Sequence, residues 1–325
     1  MSRARTIVVT GGSRGAGRAT ALAFARRGDN LVLAARDEMA LRATAAECAA
    51  LGAQTLIVPT DVSRASEVDG LVRAAIDRFD RIDVWVGAAG VLAYGRVEEV
   101  PPELFDQVVA TNLLGQVNGV RSALPVFRAQ GRGTFVLIAS VFGHVSAPYV
   151  SSYVASKFGV QGFAHSLRQE LLSEPRINVR VVSPATIDTP GYQRAGNRTG
   201  RQPRAIPPAV SPHRVAAAVV RATRPGARNS RTVGRMQSAG IPLFTLFPGA
   251  YDRGIRATME LVGLRGPADD TDGTVLHPVA DEGAVTGGWR ASQARRLAIG
   301  LLGVGAALLA YRRYGGRGPS RSELG

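Results

Sequence analysis

The first 235 residues alternate between short apolar runs and segments with the apolar spacing of helices. Parallel strands that are covered by helices on both faces read as nearly continuous apolar runs. The alternation therefore predicts an α/β fold with a doubly wound parallel sheet. The expected strands are Thr6–Thr10, Leu31–Ala35, Thr55–Val58, Val84–Val86, Thr134–Ala139, Asn178–Val182 and, with the weakest pattern, Arg231–Gly234.

The segments between these runs predict the helices that cover the sheet. Right-handed crossovers place the carboxyl ends of all parallel strands at one edge, where ligands bind in such folds. Functional residues are therefore expected in the loops that follow the strands. The predicted helices are Gly17–Arg27, Glu38–Leu51, Glu67–Phe79, Glu103–Gln130, Ser151–Leu172 and Pro212–Ala222.

The loop between the first strand and the first helix has the pattern T-G-x-x-x-G-x-G, with Gly11, Gly15 and Gly17. Glycine lets the backbone turn tightly and approach a pyrophosphate, and the helix that follows offers N–H groups and the positive end of its dipole. A strand before the loop and a helix after it are the context that a dinucleotide site requires. The loop thus predicts a Rossmann-like, dinucleotide-binding fold of about seven strands.

Charge at the end of the second strand indicates which dinucleotide is bound. An acidic residue there would bind the ribose 2′-hydroxyl of NAD and repel a 2′-phosphate. This chain has Arg36 at that place and Arg14 in the glycine loop. Two guanidinium groups suit a phosphate, so NADP(H) is the predicted coenzyme, although Asp37 adds an opposing charge.

Tyr153 and Lys157 are four residues apart and share one face of a predicted helix. A neighbouring cation favours the phenolate and lowers the pKa of a tyrosine towards the range useful in proton transfer. Lys157 is the only lysine of the chain, whose other basic residues are arginine. A position that keeps lysine needs a compact ammonium with a tunable pKa, which arginine cannot supply.

These motifs, in this order, resemble those of the short-chain dehydrogenase/reductase family over roughly residues 4–235. The resemblance adds Ser140, thirteen residues before Tyr153, and Asn112 in the long predicted helix. It implies that Tyr153 exchanges a proton with the substrate oxygen and that Ser140 binds this oxygen. It further implies that Lys157 tunes Tyr153 and binds the nicotinamide ribose, while Asn112 holds a relay water.

The resemblance also implies the residues that contact the coenzyme. Asp61 and Val62 would lie against the adenine, although Asp61 also fits a helix start near Ser63, and Thr189 would bind the carboxamide. The implied set is Gly11, Ser13, Arg14, Gly15, Gly17, Arg36, Asp61, Val62, Ala88, Ala89, Gly90, Tyr153, Lys157, Pro184, Ile187 and Thr189.

Two positions depart from the family pattern. Gly87 stands where the family usually has an asparagine after the fourth strand, which predicts a weaker brace for the sheet. Ala185 replaces the usual glycine after Pro184, while Ile187 and Thr189 remain available for the carboxamide.

The substrate can be inferred only as a class. Residues after Ser140 that are expected to face the pocket are mostly apolar, which favours an apolar ketone or aldehyde, reduced at the expense of NADPH. Arginines of the predicted lid, residues 187–208, favour a rival, a reductase of acyl thioesters. His144 is expected in the substrate wall or at the surface. The expected pocket residues are Val141, Phe142, Val145, Ala147, Tyr149 and Val150, and the lid arginines are Arg194, Arg198, Arg201 and Arg204.

The chain beyond the 1–235 catalytic domain loses the alternation. Residues 236–288 are interpreted as an appendix packed on that domain, and 289–325 as a basic tail. Within the tail, 297–311 is apolar and flanked by arginine pairs, which predicts a membrane helix or, alternatively, a buried helix of a dimer interface. A membrane-associated, NADP(H)-binding sensor or scaffold without turnover is therefore a second functional hypothesis.

Composition excludes several other classes. The formal net charge of +15 comes almost entirely from arginine, but no stretch interleaves aromatic and basic residues, so nucleic-acid binding is not predicted. No metal-ligand spacing is present either. Cys48, the single cysteine, fits a core position and a reducing compartment. Since Thr6–Thr10 already reads as a strand, with no signal segment before it, a cytoplasmic catalytic domain is expected. The family resemblance implies a homodimer.

Overall fold

A computed structural model describes residues 4–294, so the predicted membrane helix 297–311 lies outside the described residues. Seven parallel strands form one sheet in the order β7-β6-β5-β4-β1-β2-β3. This order confirms the predicted doubly wound sheet, and every predicted strand is present. The strands are β1 Thr6–Thr10, β2 Asn30–Ala35, β3 Thr55–Pro59, β4 Val84–Gly87, β5 Gly133–Ile138, β6 Ile177–Pro184 and β7 Ser230–Val233.

Helices cover both faces of the sheet and bury two apolar cores. One face packs against α3, α5 and α6 around the fully buried rings of Phe127 and Phe135. The other packs against α1, α2 and α7 around Phe24 and includes Cys48, whose thiol pKa is raised to about 12 by burial. The helices are α1 Gly15–Ala25, α2 Glu38–Ala50, α3 Ala65–Phe79, α4 Pro102–Val109, α5 Gly115–Gln130, α6 Ser151–Glu170 and α7 Pro212–Ala222.

The predicted helix Glu103–Gln130 is not continuous. Between α4 and α5 lies one π-helical turn, Ala110–Leu114, with Asn112 buried inside it. Asparagine is a poor helix former, and π turns of this kind are frequent at functional sites. The prediction of one unbroken helix is corrected because the wider turn carries the Asn112 side chain to the backbone of Val91, where its Oδ1 accepts from N–H at 2.8 Å.

The appendix after β7 contributes further helices, α8 Arg235–Ser238, α9 Gly240–Leu246 and α10 Pro248–Thr258. A strand, Leu264–Pro267, then pairs antiparallel with Arg201–Pro203 of the predicted lid. The lid is thus hydrogen-bonded to the appendix. Within residues 4–294, no helix combines the length and apolarity needed to cross a membrane.

Residues 274–289 form a strap that returns across the ligand edge of the sheet. Its Ala284 carbonyl accepts the Gly15 N–H of the glycine loop at 2.9 Å. At its far end, Trp289 Nε1 donates to the Thr189 carbonyl at 3.1 Å. The strap therefore touches both ends of the site that the sequence predicts, a course that no sequence pattern indicated.

Candidate active site

A cavity of about 560 Å³ opens at the carboxyl edge of the sheet. Every residue of the set implied for coenzyme binding lines this cavity, as does Ser140. Asn112 lies behind the wall instead. Residues drawn from loops after β1, β2, β3, β4, β5 and β6 thus meet in one elongated space.

The glycine loop is shaped by close backbone contacts that exclude side chains. Gly11 has φ +68°, and a Cβ added to it would lie 2.6 Å from the Ala89 nitrogen. A Cβ on Gly17 would lie 2.0 Å from the Gly11 carbonyl oxygen. The hydroxyl of Thr10 accepts the Ala88 N–H at 3.2 Å and so joins the loops after β1 and β4. The pattern of glycines is therefore required by the tight floor of the cavity, which leaves room for a pyrophosphate.

Gly87 is compensated by a neighbouring side chain. A Cβ on Gly87 would lie 1.9 Å from Oε1 of Gln116, so this glutamine of α5 fills the space that a side chain at 87 would take. Its Nε2 donates to the Gly87 carbonyl at 2.9 Å. Gln116 thus holds the end of β4, and the weaker brace expected from the missing asparagine stays a prediction.

Lys157 is buried below the cavity, where its Nζ donates to the Ile138 carbonyl at 3.1 Å. The same Nζ lies 5.4 Å from the ring centroid of Tyr153, the contact that their spacing on α6 predicted. Burial disfavours the charged ammonium and lowers the pKa of Lys157 to about 8. The ammonium is therefore close to its titration point at physiological pH.

Tyr153 behaves differently from the sequence-based expectation. Burial raises the pKa of the Tyr153 phenol, and a hydrogen bond with Ser140 opposes this rise without cancelling it. The expected net lowering of the pKa by Lys157 is therefore wrong, because the buried position disfavours the phenolate more strongly. The Tyr153 phenol therefore keeps its proton at neutral pH.

Ser140 follows β5 and begins a 3₁₀ turn, Val141–Gly143. Its Oγ accepts the Phe142 N–H at 3.1 Å, which fixes the side chain at the cavity wall. Ser140 also interacts with the Tyr153 phenol, and both residues line the cavity, so the two hydroxyls face the same space.

Asn112 and Lys157 converge on the backbone after β4. A Cβ on Gly90 would lie 3.3 Å from Asn112 Oδ1 and 3.9 Å from Lys157 Nζ. Asn112 Nδ2 donates to the Val91 carbonyl at 3.0 Å and to Ser156 Oγ at 3.2 Å. The asparagine thus fixes this loop beside Lys157; its relay role stays a prediction.

The substrate end of the cavity is apolar. The pocket residues expected after Ser140 line it except Ala147 and Tyr149, and the Tyr149 hydroxyl donates to Glu260 at 2.8 Å instead. His144 also lies outside the lining, with its Nε2 at 2.8 Å from Gln161 Nε2. Sequence reasoning missed part of the wall, because it comes from the short strand Ala93–Tyr94, the lid and the appendix, which carry no motif. The missed residues are Tyr94, Tyr192, Ile206, Met236, Leu243, Tyr251 and Ile255.

Three lid arginines bind the C-terminal part of the chain. Arg194 pairs with Asp281 of the strap, and Arg201 donates to the Glu260 carbonyl at 2.6 Å. Arg198 donates to the Thr271 carbonyl at 2.6 Å. These contacts explain the arginines as supports of the appendix.

Arg14 and Arg36, the two predicted phosphate ligands, lie at the end of the cavity that is predicted to hold the adenosine, called here the adenosine end. Arg14 pairs with Asp37, which also accepts the Ala40 N–H and so caps α2. Arg36 lies at the end of β2, beside the charge of Asp61. The Asp61 carboxylate accepts from the Ser63 hydroxyl at 2.7 Å, as the helix-start interpretation expects. Asp61 also lines the cavity, and its contact with the adenine stays a prediction.

A doubly wound sheet, a glycine loop and a Ser–Tyr–Lys cluster at one cavity define a Rossmann-type oxidoreductase. The family model for short chain dehydrogenases matches residues 5–199, so the chain belongs to this family. The family inferred from the motifs is thereby confirmed. As a family member, the protein is an oxidoreductase that acts on a small-molecule substrate with a nicotinamide coenzyme.

Curated relatives extend the match. An uncharacterized oxidoreductase of Bacillus subtilis is 31% identical over 251 residues, which cover 77% of this chain and 70% of the relative. D-beta-hydroxybutyrate dehydrogenase of Rhizobium meliloti is 34% identical over a match that covers 57% of this chain and 72% of the relative. A 3-oxoacyl-[acyl-carrier-protein] reductase of a Synechocystis strain is 35% identical over a match that covers 57% of this chain and 75% of the relative.

Solved structures with the same fold include complexes with either coenzyme. A short-chain dehydrogenase/reductase from Burkholderia phymatum in complex with NAD superposes with a TM-score of 0.69 at 26% identity, covering 82% of this chain and 98% of that one. Actinorhodin polyketide ketoreductase with NADPH superposes with a TM-score of 0.66 at 28% identity, and the match covers 72% of this chain and 97% of that one. The comparisons thus support a nicotinamide coenzyme as a class, since the similar structures include both NAD and NADPH complexes.

Proposed function

We propose that this protein is an NADP(H)-dependent reductase that converts an apolar ketone or aldehyde to the alcohol. The observation that carries the proposal is that the buried Tyr153 phenol and the Ser140 hydroxyl line the same apolar end of the cavity. Both hydroxyls can donate to a carbonyl oxygen, the apolar wall suits an apolar substrate, and NADPH as the coenzyme favours reduction.

The residues have separate tasks in this reaction. Ser140 donates a hydrogen bond to the carbonyl oxygen, where negative charge develops. Tyr153 gives its phenolic proton to the same oxygen, and the Lys157 ammonium stabilises the phenolate that remains. The coenzyme, when bound, supplies the hydride. The glycine loop would hold its pyrophosphate, and Arg14 and Arg36 its 2′-phosphate.

The charge at the adenosine end supports NADP(H) over NAD(H). Arg36 lies where an NAD-binding site has an acidic residue, and its planar guanidinium can bind a phosphate through paired hydrogen bonds. Asp37 caps α2 and pairs with Arg14, so its carboxylate is partly neutralised. Arg36, whose hydrogen bonds go to backbone carbonyls, then carries the positive charge that a 2′-phosphate would meet.

The rival substrate class is an acyl thioester. Similarity to a 3-oxoacyl-[acyl-carrier-protein] reductase favours it, whereas the pairing of three lid arginines with the appendix removes most of its original basis. A single panel separates the two: the purified chain is assayed with NADPH and with NADH on apolar ketones, aldehydes and 3-oxoacyl thioesters. We expect NADPH oxidation with the neutral carbonyls. Activity on thioesters alone would establish the rival.

The same panel tests the sensor or scaffold hypothesis. A protein without turnover would bind NADPH, as measured by the fluorescence of the coenzyme, and oxidise it with no member of the panel.

We also propose, from the family resemblance, a homodimer and a cytoplasmic catalytic domain of residues 1–235. Exposed apolar side chains such as Leu114 and Phe158, on the outer side of the π turn and α6, support the dimer. Light scattering tests it.

A further inference from the structure

Both cations predicted to hold the 2′-phosphate have partners in the strap. Arg14 Nη2 donates to Asp281 Oδ1 at 2.6 Å and to the Val279 carbonyl at 2.8 Å. Arg36 Nη1 donates to the Val275 carbonyl at 2.9 Å. In this arrangement the oxygens that a 2′-phosphate would offer to the two guanidinium groups are replaced by a carboxylate and by backbone carbonyls.

Asp281 is the anionic member of this set. Its carboxylate accepts from Arg14, from Arg194 and from the Gly283 N–H at 2.7 Å. Burial opposes ionisation, but these hydrogen bonds outweigh it and lower the pKa of Asp281 to about 2. The carboxylate is therefore charged at physiological pH. About a third of its side chain (36%) remains exposed, so it can leave Arg14 for solvent without crossing the core.

The strap packs closely against the glycine loop. Gly283 has φ +69°, and a Cβ on it would lie 2.6 Å from the Ser13 carbonyl oxygen. The Glu282 carbonyl accepts from Arg18 Nη1 at 2.6 Å. The hydrogen bonds of the Glu282 and Ala284 carbonyls, on either side of Gly283, hold the strap with Asp281 over Arg14.

We propose that Asp281 is a coenzyme-selectivity residue, whose carboxylate occupies the subsite of the 2′-phosphate and is displaced from it by NADP(H) but not by NAD(H). The inference deepens the proposed function and rests on its NADP(H) site. Arg14 already pairs with the carboxylates of Asp37 and Asp281, so a 2′-phosphate would be a third anion at this guanidinium and would repel Asp281, the more exposed of the two carboxylates. NAD(H) lacks the 2′-phosphate, so it leaves the pairing of Asp281 with Arg14 in place, while the pyrophosphate at the glycine loop is common to both coenzymes.

The charge of Asp281 can be removed with a matched control. The variant is Asp281→Asn, and the control is Glu282→Gln, which removes the same charge from the adjacent, exposed side chain. Dissociation constants for NADPH and NADH are measured by fluorescence titration of the full chain. Removing an anion that competes for Arg14 should tighten NADPH binding about fivefold to tenfold, while NADH binding changes less than about twofold. The control should leave both constants unchanged.

Weaker or unchanged NADPH binding in Asp281→Asn would overturn the inference, since it would give the carboxylate a supporting role or none. Hydrogen exchange on the unmodified chain provides a second measurement. NADPH should accelerate exchange of the strap amides at Gly283 and Gly287 more than NADH does. Protection of these amides by NADPH would also overturn the inference.

The outcome separates the inference from the proposed coenzyme. A wild-type chain that binds NADPH, with a variant that binds it equally well, removes the role of Asp281 and leaves the proposed function standing. A chain that binds NADH but not NADPH, with Asp281 or without it, removes both.

Discussion

The two ends of the cavity are built in different ways. At the nicotinamide end, Tyr153 and Lys157 come from one helix and Ser140 from the adjacent strand end, so a short motif brings the chemistry together. At the adenosine end, Arg36 is bound by the Val275 carbonyl, 239 positions further along the chain. The difference teaches that local spacing brings the proposed catalytic residues together, whereas a distant segment supplies partners for the proposed phosphate ligands.

The largest expected effect is at the nicotinamide end. Tyr153→Phe removes the proton donor, and we expect kcat to fall about 10²- to 10⁴-fold, the usual contribution of a general acid. Coenzyme binding should be unchanged, as measured by fluorescence titration. Tyr149→Phe is the control, because it deletes the same hydroxyl at a tyrosine outside the cavity lining. Near-normal turnover in Tyr153→Phe would show that Tyr153 is not the proton donor.

At the adenosine end, Arg36→Gln should act on coenzyme choice and not on proton transfer. Loss of charge-assisted hydrogen bonds should weaken NADPH binding about 10- to 100-fold. NADH binding should change far less, and kcat at saturating NADPH should stay within about twofold of normal. Arg42→Gln, an exposed position on α2, is the control. Equal losses for both coenzymes would contradict a 2′-phosphate site at Arg36.

The pH dependence of reduction should come from the nicotinamide end alone. Lys157 is charged below its pKa of about 8 and loses its charge above it, while the pKa of Tyr153 is raised out of this range. The value of kcat/KM should therefore be constant below about pH 8 and fall about tenfold per pH unit well above it. The profile is measured between about pH 6 and 10 under saturating NADPH. A flat profile across this range would exclude Lys157 as the cation that stabilises the phenolate.

The smallest effect is expected beneath the cavity, between its two ends. Gln116→Ala removes the hydrogen bond to the Gly87 carbonyl and leaves a cavity under β4. The free energy of unfolding should fall by about 1–3 kcal/mol, with both coenzymes affected alike. Urea denaturation measures the change, and Gln169→Ala, at an exposed position of α6, is the control. Equal stability of the two variants would mean that Gln116 does not replace the missing asparagine.

Sequence alone determined the parts of this protein whose signals are local. Continuous apolar runs specified the seven strands, since burial on both faces leaves no alternation, and the glycine loop specified its own turn because only glycine fits there. The spacing of Tyr153 and Lys157 likewise placed both on one face of α6. Each of these patterns acts within a few residues, so the chain needs no distant partner to reveal it.

Tertiary structure decided the rest, because distant residues had to be brought into contact first. The π turn that turns Asn112 towards Val91 depends on the loop after β4, and the space above Gly87 is filled from α5 by Gln116. The raised pKa of Tyr153 follows from how deeply the packed chain buries it, not from its neighbour in sequence. The pairing of Asp281 with Arg14 joins residues 267 positions apart, and no pattern at either position indicates the other. Charge at the adenosine end could be read from the sequence, but its neutralisation could not.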